Sequence, residues 1–341
     1  MRPLYICLAT DDNYVPLATV SIASIIDSNY DNNIEFFILD SGISNINKSA
    51  LKKIVENGRN KISFIDVSSN LQKLIELGAN SQGINHSYAS YARFFIIEYL
   101  PKYVDKLLYV DCDTCICDNL KELFNIDLSN FVLGAVLDIL PDFHKKNIGF
   151  ISSDYYFNAG VLLFNCKEWR KENIVFKIFE HLKNINSKYS FHDQDLINIV
   201  CKNKIKILPP KYMVFLPEYS WGAKKLNILT KLRKDKYYTT EELLQASENP
   251  VIIHYVDGIF GRPWYLNNKG KYDYIWEKYL KLTNLENSFP YKEKKRSLLN
   301  KCLIKSYYIL PKLLFIKIYS LRKNRVLRKR EELIWERVML K

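Results

Sequence analysis

Two carboxylates one residue apart, Asp111 and Asp113, follow the apolar run Lys106–Val110. On an extended chain, side chains at this spacing point to the same face, so the two carboxylates can share one cation. Their hard oxygen ligands suit Mg²⁺ or Mn²⁺, and such an ion can neutralise charge on a diphosphate leaving group. The alternative is a pair of solvated turn residues. The buried strand that the apolar run predicts favours a metal site.

Other polar side chains also lie at the ends of predicted strands, namely His254, Asp138, and the pair Asp11 and Asn13. Because ligands bind beyond the carboxyl ends of the strands in α/β sheets, we expect these side chains to converge with the two aspartates. A lone histidine after a strand is often a hydrogen-bonded core residue. Imidazole is also a good ligand for Mn²⁺, and a carboxylate pair needs a third ligand. His254 is therefore a candidate metal ligand.

Two further motifs each allow two interpretations. Cys112, Cys115 and Cys117 lack a second cysteine pair at zinc-site spacing, so buried or half-buried thiols are favoured over a metal site. Residues 193–195, Asp-Gln-Asp, precede an apolar stretch with helical length. An aspartate there could cap a helix N-terminus or belong to a functional site, and the sequence leaves both interpretations open.

Strands and helices alternate along the chain. Strands are predicted at Leu4–Ala9, Ile34–Leu39, Lys61–Val67, Lys106–Val110, Val132–Leu137, Val161–Phe164 and Val251–Tyr255. Leu17–Asp27 and Tyr88–Leu100 have helical periodicity, and Arg93 lies off the apolar stripe of the second helix. Such alternation predicts an α/β fold with a mostly parallel sheet and helices on both faces.

The charge of the chain is concentrated near its C-terminal end. The 341 residues carry 50 Lys and Arg against 37 Asp and Glu, a net charge of +13, and residues 291–341 account for +12 of it. The rest is a nearly neutral body, and 48% hydrophobic residues exclude a disordered chain. We predict a globular domain at 1–285 and a basic amphipathic helical tail at 286–341, with the boundary in the polar stretch Thr283–Pro290.

The predicted tail interleaves basic and apolar residues. Lys312 and Lys317 interrupt any membrane-spanning run, and the pattern is typical of a helix that lies on an anionic lipid surface. A solvated charge run and an RNA-binding tail are the alternatives, but the membrane is favoured because the apolar residues would otherwise have no partner. An odd number of cysteines and an N-terminus unlike a signal peptide predict a cytoplasmic protein. The tail then predicts that the protein is peripheral at the inner face of the membrane and binds no nucleic acid.

Six motifs follow one another between Leu4 and Trp264. They are Ala9-Thr10-Asp11-Asp12-Asn13-Tyr14, Ser90-Tyr91-Ala92-Arg93, Tyr109-Val110-Asp111-Cys112-Asp113, Tyr156-Phe157-Asn158-Ala159-Gly160-Val161, Asp193-Gln194-Asp195, and His254-Tyr255 with Pro263-Trp264. In these motifs and their order the chain resembles the retaining glycosyltransferases of family 8, especially bacterial lipooligosaccharide α-galactosyltransferases and lipopolysaccharide glucosyltransferases. The resemblance implies a GT-A fold, which is a Rossmann-like, mostly parallel mixed sheet flanked by helices, and makes residues 1–285 the catalytic domain.

The resemblance also implies a role for each matched position. The residues that would bind Mn²⁺, with Mg²⁺ as the alternative, on the diphosphate of a UDP-hexose are Asp111, Asp113 and His254. The residues that would contact the donor are Ala9, Asp11, Asn13, Arg93, Cys112, Ala159, Gly160, Gly258, Gly261 and Arg262. The residues that would line the reaction centre are Asn158, Asp193, Gln194 and, towards the acceptor, Asp138. The acceptor hydroxyl would attack from the front face, with Gln194 stabilising the anomeric centre.

One segment departs from the family pattern. The run from His254 to Trp264 is two residues longer than in the family, and Arg262 stands where the family has lysine. Arginine can bind phosphate as a planar fork, but it does not substitute for lysine conservatively. Whether Gly258 or Gly261 matches the family glycine is left open by the sequence.

The sequence thus predicts a Mn²⁺-dependent retaining hexosyltransferase. It would move galactose or glucose from UDP to a glycolipid or oligosaccharide acceptor in the synthesis of lipopolysaccharide, lipooligosaccharide or surface polysaccharide. One alternative is a metal-dependent nucleotide-sugar phosphohydrolase or nucleotidyltransferase, which should lack the cluster of Asp11 and Asn13. The other is a non-catalytic basic protein that binds membranes or nucleic acid, which would tolerate Asp113→Ala.

Overall fold

A computed structural model describes residues 3–56, 58–77, 79, 88–138, 140–184, 189–215, 225, 237–258, 261–266 and 270–339. The strands are β1 (Leu4–Thr10), β2 (Ile34–Asp40), β3 (Lys61–Asp66), β4 (Lys106–Val110), β5 (Thr114–Ile116), β6 (Leu133–Leu137), β7 (Phe157–Asn165), β8 (Ile205–Ile207) and β9 (Ile252–His254). The helices are α1 (Val15–Ser28), α2 (Asn45–Val55), α3 (Ser68–Glu76), α4 (Ile96–Tyr99), α5 (Lys121–Asn125), α6 (Asp142–Asn147), α7 (Cys166–Lys171), α8 (Ile174–Asn184), α9 (His192–Val200), α10 (Thr240–Glu248), α11 (Asp273–Lys281), α12 (Leu298–Ile309) and α13 (Lys312–Met339). Short 3₁₀ helices lie at Asp12–Tyr14, Tyr88–Phe94 and Pro210–Tyr212.

In the described part of the chain, seven strands form one central sheet in the order β3-β2-β1-β4-β7-β6-β8. Strands β3, β2, β1 and β4 are parallel, and β8 is parallel to β6, whereas β7 runs antiparallel to both of its neighbours. The predicted α/β architecture with a mostly parallel, mixed sheet is confirmed. Because β7 runs in the opposite direction, its first residues lie at the same edge of the sheet as the last residues of β4 and β6.

His254 reaches that edge by a route that the strand pattern does not indicate. Strand β9 does not join the central sheet but pairs antiparallel with β5, so that His254 lies opposite Thr114. The amide of Tyr255 donates to the carbonyl of Asp113 at 2.8 Å, which extends the pairing past the strand. This two-stranded ribbon therefore places the histidine beside the residue that follows the two carboxylates.

The segment predicted as one helix, Tyr88–Leu100, contains two helices of different kinds. It forms a 3₁₀ helix over Tyr88–Phe94 and an α-helix over Ile96–Tyr99. A 3₁₀ helix repeats every three residues and not every 3.6, so side chains are distributed differently around its axis. Arg93 is only 4% exposed as a result and points into the protein beside the end of β4.

The residues beyond the predicted boundary pack against the body. Phe289 meets Trp276 edge to face, with ring centroids 4.9 Å apart, and the amide of Lys292 donates to the carbonyl of Trp264 at 3.0 Å. Farther on, Phe315 and Ile316 of α13 are fully buried. The division between 1–285 and 286–341 thus remains a prediction about function, because the two parts share one apolar core.

Within the described residues, we find no helix that combines the length and the apolar character needed to cross a membrane.

Candidate active site

The structure brings the predicted metal ligands together. The Nε2 atom of His254 lies 3.0 Å from Asp113 Oδ1 and 3.7 Å from Asp111 Oδ2. The ligand atoms of the three residues all lie within 4.8 Å of one another. Two carboxylate oxygens and one imidazole nitrogen form a donor set that suits Mn²⁺ or Mg²⁺.

The surroundings of His254 agree with a metal site. Its Nδ1 atom is buried and, among the described residues, has no hydrogen-bond partner. Gly160, in β7, lies against the ring, and a Cβ atom there would come within 2.3 Å of the imidazole Cε1 and 3.0 Å of Asp111 Oδ2. Only glycine leaves room for the ring to face the carboxylates. The donor set and the space around it therefore fit a divalent cation.

Two arginines flank the carboxylates. Arg93 Nη2 lies 3.0 Å from Asp111 Oδ1, and Arg262 Nη2 lies 3.2 Å from Asp113 Oδ2. Burial raises the pKa of Asp111, and the charge of Arg93 opposes this only in part. Burial acts in the same direction on Asp113, but His254 and Arg262 outweigh it and hold the pKa of Asp113 at about 2. Asp113 therefore stays charged at any physiological pH.

Arg93 connects the cluster of Asp111, Asp113 and His254 to the opposite end of the candidate site. Its Nε atom donates to the carbonyl of Ser90 at 2.7 Å and lies 3.2 Å from Asp193 Oδ2, and its Nη1 atom donates to the carbonyl of Ala159. The guanidinium also lies over the ring of Tyr109, 4.5 Å from its centroid. With so many partners the side chain is held rigidly, as a preorganised charge requires.

The predicted reaction-centre residues form one hydrogen-bonded group. Gln194 accepts a bond from the amide of Ala159 at 3.0 Å and donates to Asp138 Oδ2 at 2.9 Å. Asn158 donates to the same carboxylate oxygen at 3.0 Å, and its own oxygen accepts from the amide of Gly160 at 2.8 Å. These bonds determine which way both side-chain amides point. The group is thus oriented by the start of β7 and the end of β6.

The two aspartates of residues 193–195 differ in role. Asp193 pairs with Arg93 and makes no cap, in agreement with the functional interpretation. Asp195 Oδ2 accepts from the backbone amide of Phe191 at 2.9 Å and so closes the turn before α9, but Phe191 is the N-cap residue of that helix and no side chain caps it. The interpretation of an aspartate as the N-cap is therefore wrong for both residues.

The residues expected to bind the nucleotide lie at the end of β1. The carbonyl of Ala9 accepts a bond from Cys112 Sγ at 3.2 Å, Asp11 accepts from the amide of Tyr14 at 3.1 Å, and Asn13 is exposed. All cysteines among the described residues are free, and burial raises the pKa of the Cys112 thiol. The buried-thiol interpretation of the cysteine cluster is confirmed.

The long loop after His254 is described except for residues 259 and 260. Gly261 has a φ of +85°, in the left-handed region that favours glycine, whereas Gly258 does not. Arg262 follows directly, and its guanidinium lies over the ring of Trp264, 5.3 Å from the centroid. The conformation that requires glycine thus lies next to the arginine that reaches Asp113.

Two tyrosines that the sequence did not single out support the site. The hydroxyl of Tyr109 donates to Asp111 Oδ1 at 2.8 Å, and the hydroxyl of Tyr156 donates to Asp195 Oδ1 at 2.5 Å. Tyr109 precedes Asp111 by two residues, which places the two side chains on one face of an extended chain. The same alternation of side chains that linked the two aspartates could therefore have indicated Tyr109 as a neighbour of Asp111.

Comparison with known proteins gives a consistent result. The sequence model of glycosyl transferase family 8 matches residues 5–267. A putative glycosyltransferase of Haemophilus influenzae is 34% identical over 236 residues, which are 67% of this chain and 68% of the relative. A lipopolysaccharide 1,2-glucosyltransferase of Escherichia coli is 28% identical over 260 residues, 75% of this chain and 71% of the relative.

The fold has a solved counterpart. The crystal structure of the galactosyltransferase LgtC in complex with donor and acceptor sugar analogues matches with a TM-score of 0.65 at 25% identity. The match covers 82% of this chain and 96% of LgtC. Since the family's sequence model spans most of the chain and the GT-A architecture is shared, this protein belongs to glycosyltransferase family 8.

Proposed function

We propose that this glycosyltransferase is a Mn²⁺-dependent, retaining hexosyltransferase that uses a UDP-sugar. Its acceptor would be a glycolipid or oligosaccharide in the synthesis of lipopolysaccharide, lipooligosaccharide or another surface polysaccharide. The observation that carries the proposal is the meeting of two groups at one sheet edge, the cluster of Asp111, Asp113 and His254 and the amides of Gln194 and Asn158. Relatives named as a glucosyltransferase and a galactosyltransferase support a hexose donor and leave glucose and galactose as the two candidates.

The metal end of the site would bind the leaving group. A divalent cation held by Asp111, Asp113 and His254 would neutralise charge on the diphosphate. Arg93 and Arg262 add fixed positive charge on the two sides of the carboxylates. A planar guanidinium can donate two parallel hydrogen bonds to phosphate oxygens, so Arg262 can bind a diphosphate where the family has lysine.

The reaction centre favours attack from the front face. Its carboxylates are engaged, because Asp193 pairs with Arg93 and Asp138 accepts bonds from the amides of Gln194 and Asn158. A carboxylate held by such bonds is a poor nucleophile. We therefore infer that the acceptor hydroxyl attacks the sugar directly, that a leaving phosphate oxygen takes its proton, and that Gln194 stabilises the anomeric carbon.

The test incubates the full chain with a panel of nucleotide sugars, in Mn²⁺ or in EDTA, and identifies the nucleotide that is released. Mn²⁺-dependent release of UDP from UDP-galactose or UDP-glucose supports the proposal and identifies the donor. Release of UMP would instead indicate the phosphohydrolase alternative, because that enzyme cleaves between the phosphates. With an oligosaccharide acceptor, an α-linked product would support retention, and a β-linked product would contradict it.

We further propose that the C-terminal helices lie on an anionic cytoplasmic leaflet. Their exposed large apolar residues are Leu298, Leu299, Tyr308, Ile309, Leu313, Leu314, Ile318, Leu321, Val326 and Leu333. Exposed lysines lie among them, at Lys301, Lys305 and Lys317. Apolar side chains that enter the lipid interface next to lysines that meet anionic headgroups are typical of peripheral membrane helices.

Vesicle sedimentation tests this surface. The full chain should bind vesicles that contain phosphatidylglycerol and should not bind neutral phosphatidylcholine vesicles. The double variant Leu299→Asp/Ile309→Asp should lose the binding. Ile46→Asp is the matched control, because Ile46 is 82% exposed but lies in α2. Equal binding by the double variant and the control would contradict the assignment.

A further inference from the structure

A buried row of charged side chains joins the C-terminal helix α13 to α9. His144 Nε2 lies 2.9 Å from Asp195 Oδ1, and His144 Nδ1 contacts Glu331 Oε1. The side chains of His144, Asp195 and Glu331 are only 1%, 0% and 5% exposed. Charged groups so far from water are costly unless each keeps its partner. Glu331 is thus a necessary part of this group and not a solvated tail residue.

This row continues into the reaction centre. Asp195 Oδ1 also accepts the hydroxyl of Tyr156 at 2.5 Å, and that hydroxyl accepts a bond from Gln194 Nε2 at 3.3 Å. The remaining hydrogen of the same amide nitrogen goes to Asp138. The position of Asp195 therefore determines where Tyr156 presents its oxygen and how the amide of Gln194 is oriented.

A second contact of α13 holds the backbone just before Asp193. Arg330 donates to the carbonyl of Ser190, and its guanidinium lies 5.5 Å from the centroid of the Phe191 ring. The next residue, His192, has a φ of +45°, which is unfavourable for a residue with a side chain. Such a conformation persists only where the surroundings enforce it, and Arg330 supplies one of those constraints.

We propose that Glu331 and His144 are positioning residues of the transferase. In this arrangement α13 holds Asp195, and through Asp195 and Tyr156 it orients Gln194 towards the donor sugar. The inference rests on the proposed function, since it concerns the part that Gln194 takes in sugar transfer. It makes α13 part of the scaffold of the active site, in addition to any role at a membrane.

Several charged and titratable groups face His144. They are Asp195 from α9, Tyr156 from the segment before β7, and Glu331 with the nearby Arg330 from α13. Burial disfavours the charged imidazole, but the hydrogen bonds to Asp195 and Glu331 outweigh it and raise the pKa of His144 to about 9. Loss of the Glu331 charge should lower that pKa towards its ordinary value. Any defect caused by that loss should then grow as the pH rises.

The first test compares Glu331→Gln with Glu332→Gln in the full chain. Glu332 is the next residue and is exposed, so it controls for the loss of one negative charge from the same helix. We expect Glu331→Gln to lower kcat by about 2- to 30-fold, the range found for residues that couple distant sites. KM for the UDP-sugar should not change, because the diphosphate binds at the other end of the site. The ratio of variant to wild-type kcat should fall between pH 6.5 and pH 8.5.

The second test does not depend on turnover. Hydrogen exchange followed by mass spectrometry should show faster exchange of the peptide that spans residues 189–200 in Glu331→Gln, and no change in Glu332→Gln. If wild-type protein releases no UDP from any donor, the proposed function fails, while the exchange result still decides whether α13 holds this segment. Should Glu331→Gln not fold, Glu331→Asp keeps the carboxylate one methylene shorter and should give an intermediate kcat and exchange rate.

Two outcomes would overturn the proposal. One is a Glu331→Gln variant that matches Glu332→Gln in both kcat and exchange. The other is a loss of turnover that merely follows the loss of folded protein and has the same size at every pH, since this would indicate a structural role alone.

Discussion

The two ends of the active site satisfy their polar groups in different ways. At the proposed metal end, the carboxylates of Asp111 and Asp113 lie 3.7 Å and 3.0 Å from His254 Nε2, and the buried Nδ1 of the same ring has no hydrogen-bond partner among the described residues. At the proposed reaction centre, hydrogen bonds within the protein satisfy the polar groups, because Gln194 and Asn158 both donate to Asp138 and Gln194 accepts from the amide of Ala159. The first end therefore offers a set of ligand atoms to a cation, while the second satisfies its hydrogen-bonding groups within the protein. Substitutions at the first should impair function more than stability, and those at the second should impair both.

The largest effect is expected for Asp113→Asn. This substitution removes the negative charge of one proposed metal ligand. We expect Mn²⁺-dependent UDP release to fall by about 10²–10³-fold, which is the usual loss when one group that stabilises charge in the transition state is removed. The temperature of thermal unfolding should also fall, by less than the loss of turnover would suggest, because His254 and Arg262 lose the charged carboxylate that they pair with. The exposed Asp118, which follows β5, provides the matched control Asp118→Asn. Turnover retained by Asp113→Asn would place the metal elsewhere.

Gly160→Ala should disturb the metal end without touching a ligand. The added Cβ would lie 2.3 Å from the ring of His254, so the ring has to move away from the carboxylates. We expect the affinity for Mn²⁺, measured by calorimetry, to fall by about 10- to 100-fold, as is usual when the support of a ligand is lost. Gly58→Ala is the control, because a Cβ at Gly58 would meet no atom within 4 Å. An unchanged affinity would show that His254 does not bind the ion.

Gln194→Ala should show most clearly that the two ends of the site respond differently to substitution. It leaves the amide of Ala159 without its partner and removes one of the hydrogen bonds that Asp138 accepts, so the free energy of unfolding should fall by about 1–3 kcal/mol, together with kcat. Binding of Mn²⁺ should be unaffected. The control is Gln245→Ala, at an exposed position of α10. A variant that kept its stability in urea titrations would contradict the view that this end is held together by its own hydrogen bonds.

One further effect concerns the dependence of stability on pH, and it should not require any change in turnover. The pKa of His144 is raised from 6.5 to about 9, so its protonated form stabilises the folded state fully below about pH 6.5, and this contribution is lost as the pH rises through about 9. The difference in unfolding free energy between wild type and His144→Gln should therefore shrink by on the order of 3 kcal/mol over that range. Urea titrations at several pH values measure it, and a difference that does not vary with pH would contradict it.

The sequence by itself determined most of the longer strands and the residue types of the candidate site. Apolar runs of strand length predicted the strand before Asp111, and the alternation of side chains on an extended chain paired Asp111 with Asp113. The position of His254 after an apolar run made it a candidate ligand, while Asn158 and Gln194 were implied by the resemblance to family 8. The strand-end residues could be predicted because a strand and the residues at its end are local, so that spacing along the chain reports directly on direction in space.

Only the tertiary structure decided how distant parts of the chain meet. The reversed direction of β7 brings Asn158 to the site from the start of a strand, and the pairing of β9 with β5 places His254 opposite Thr114. Composition presented the C-terminal region as a basic tail, yet Glu331 is buried against His144, 187 residues away along the chain. No periodicity in the sequence links such residues, because their contact depends on strand pairing and helix packing across the whole protein. Burial then makes the ion pair necessary, since a buried charge without a partner is costly.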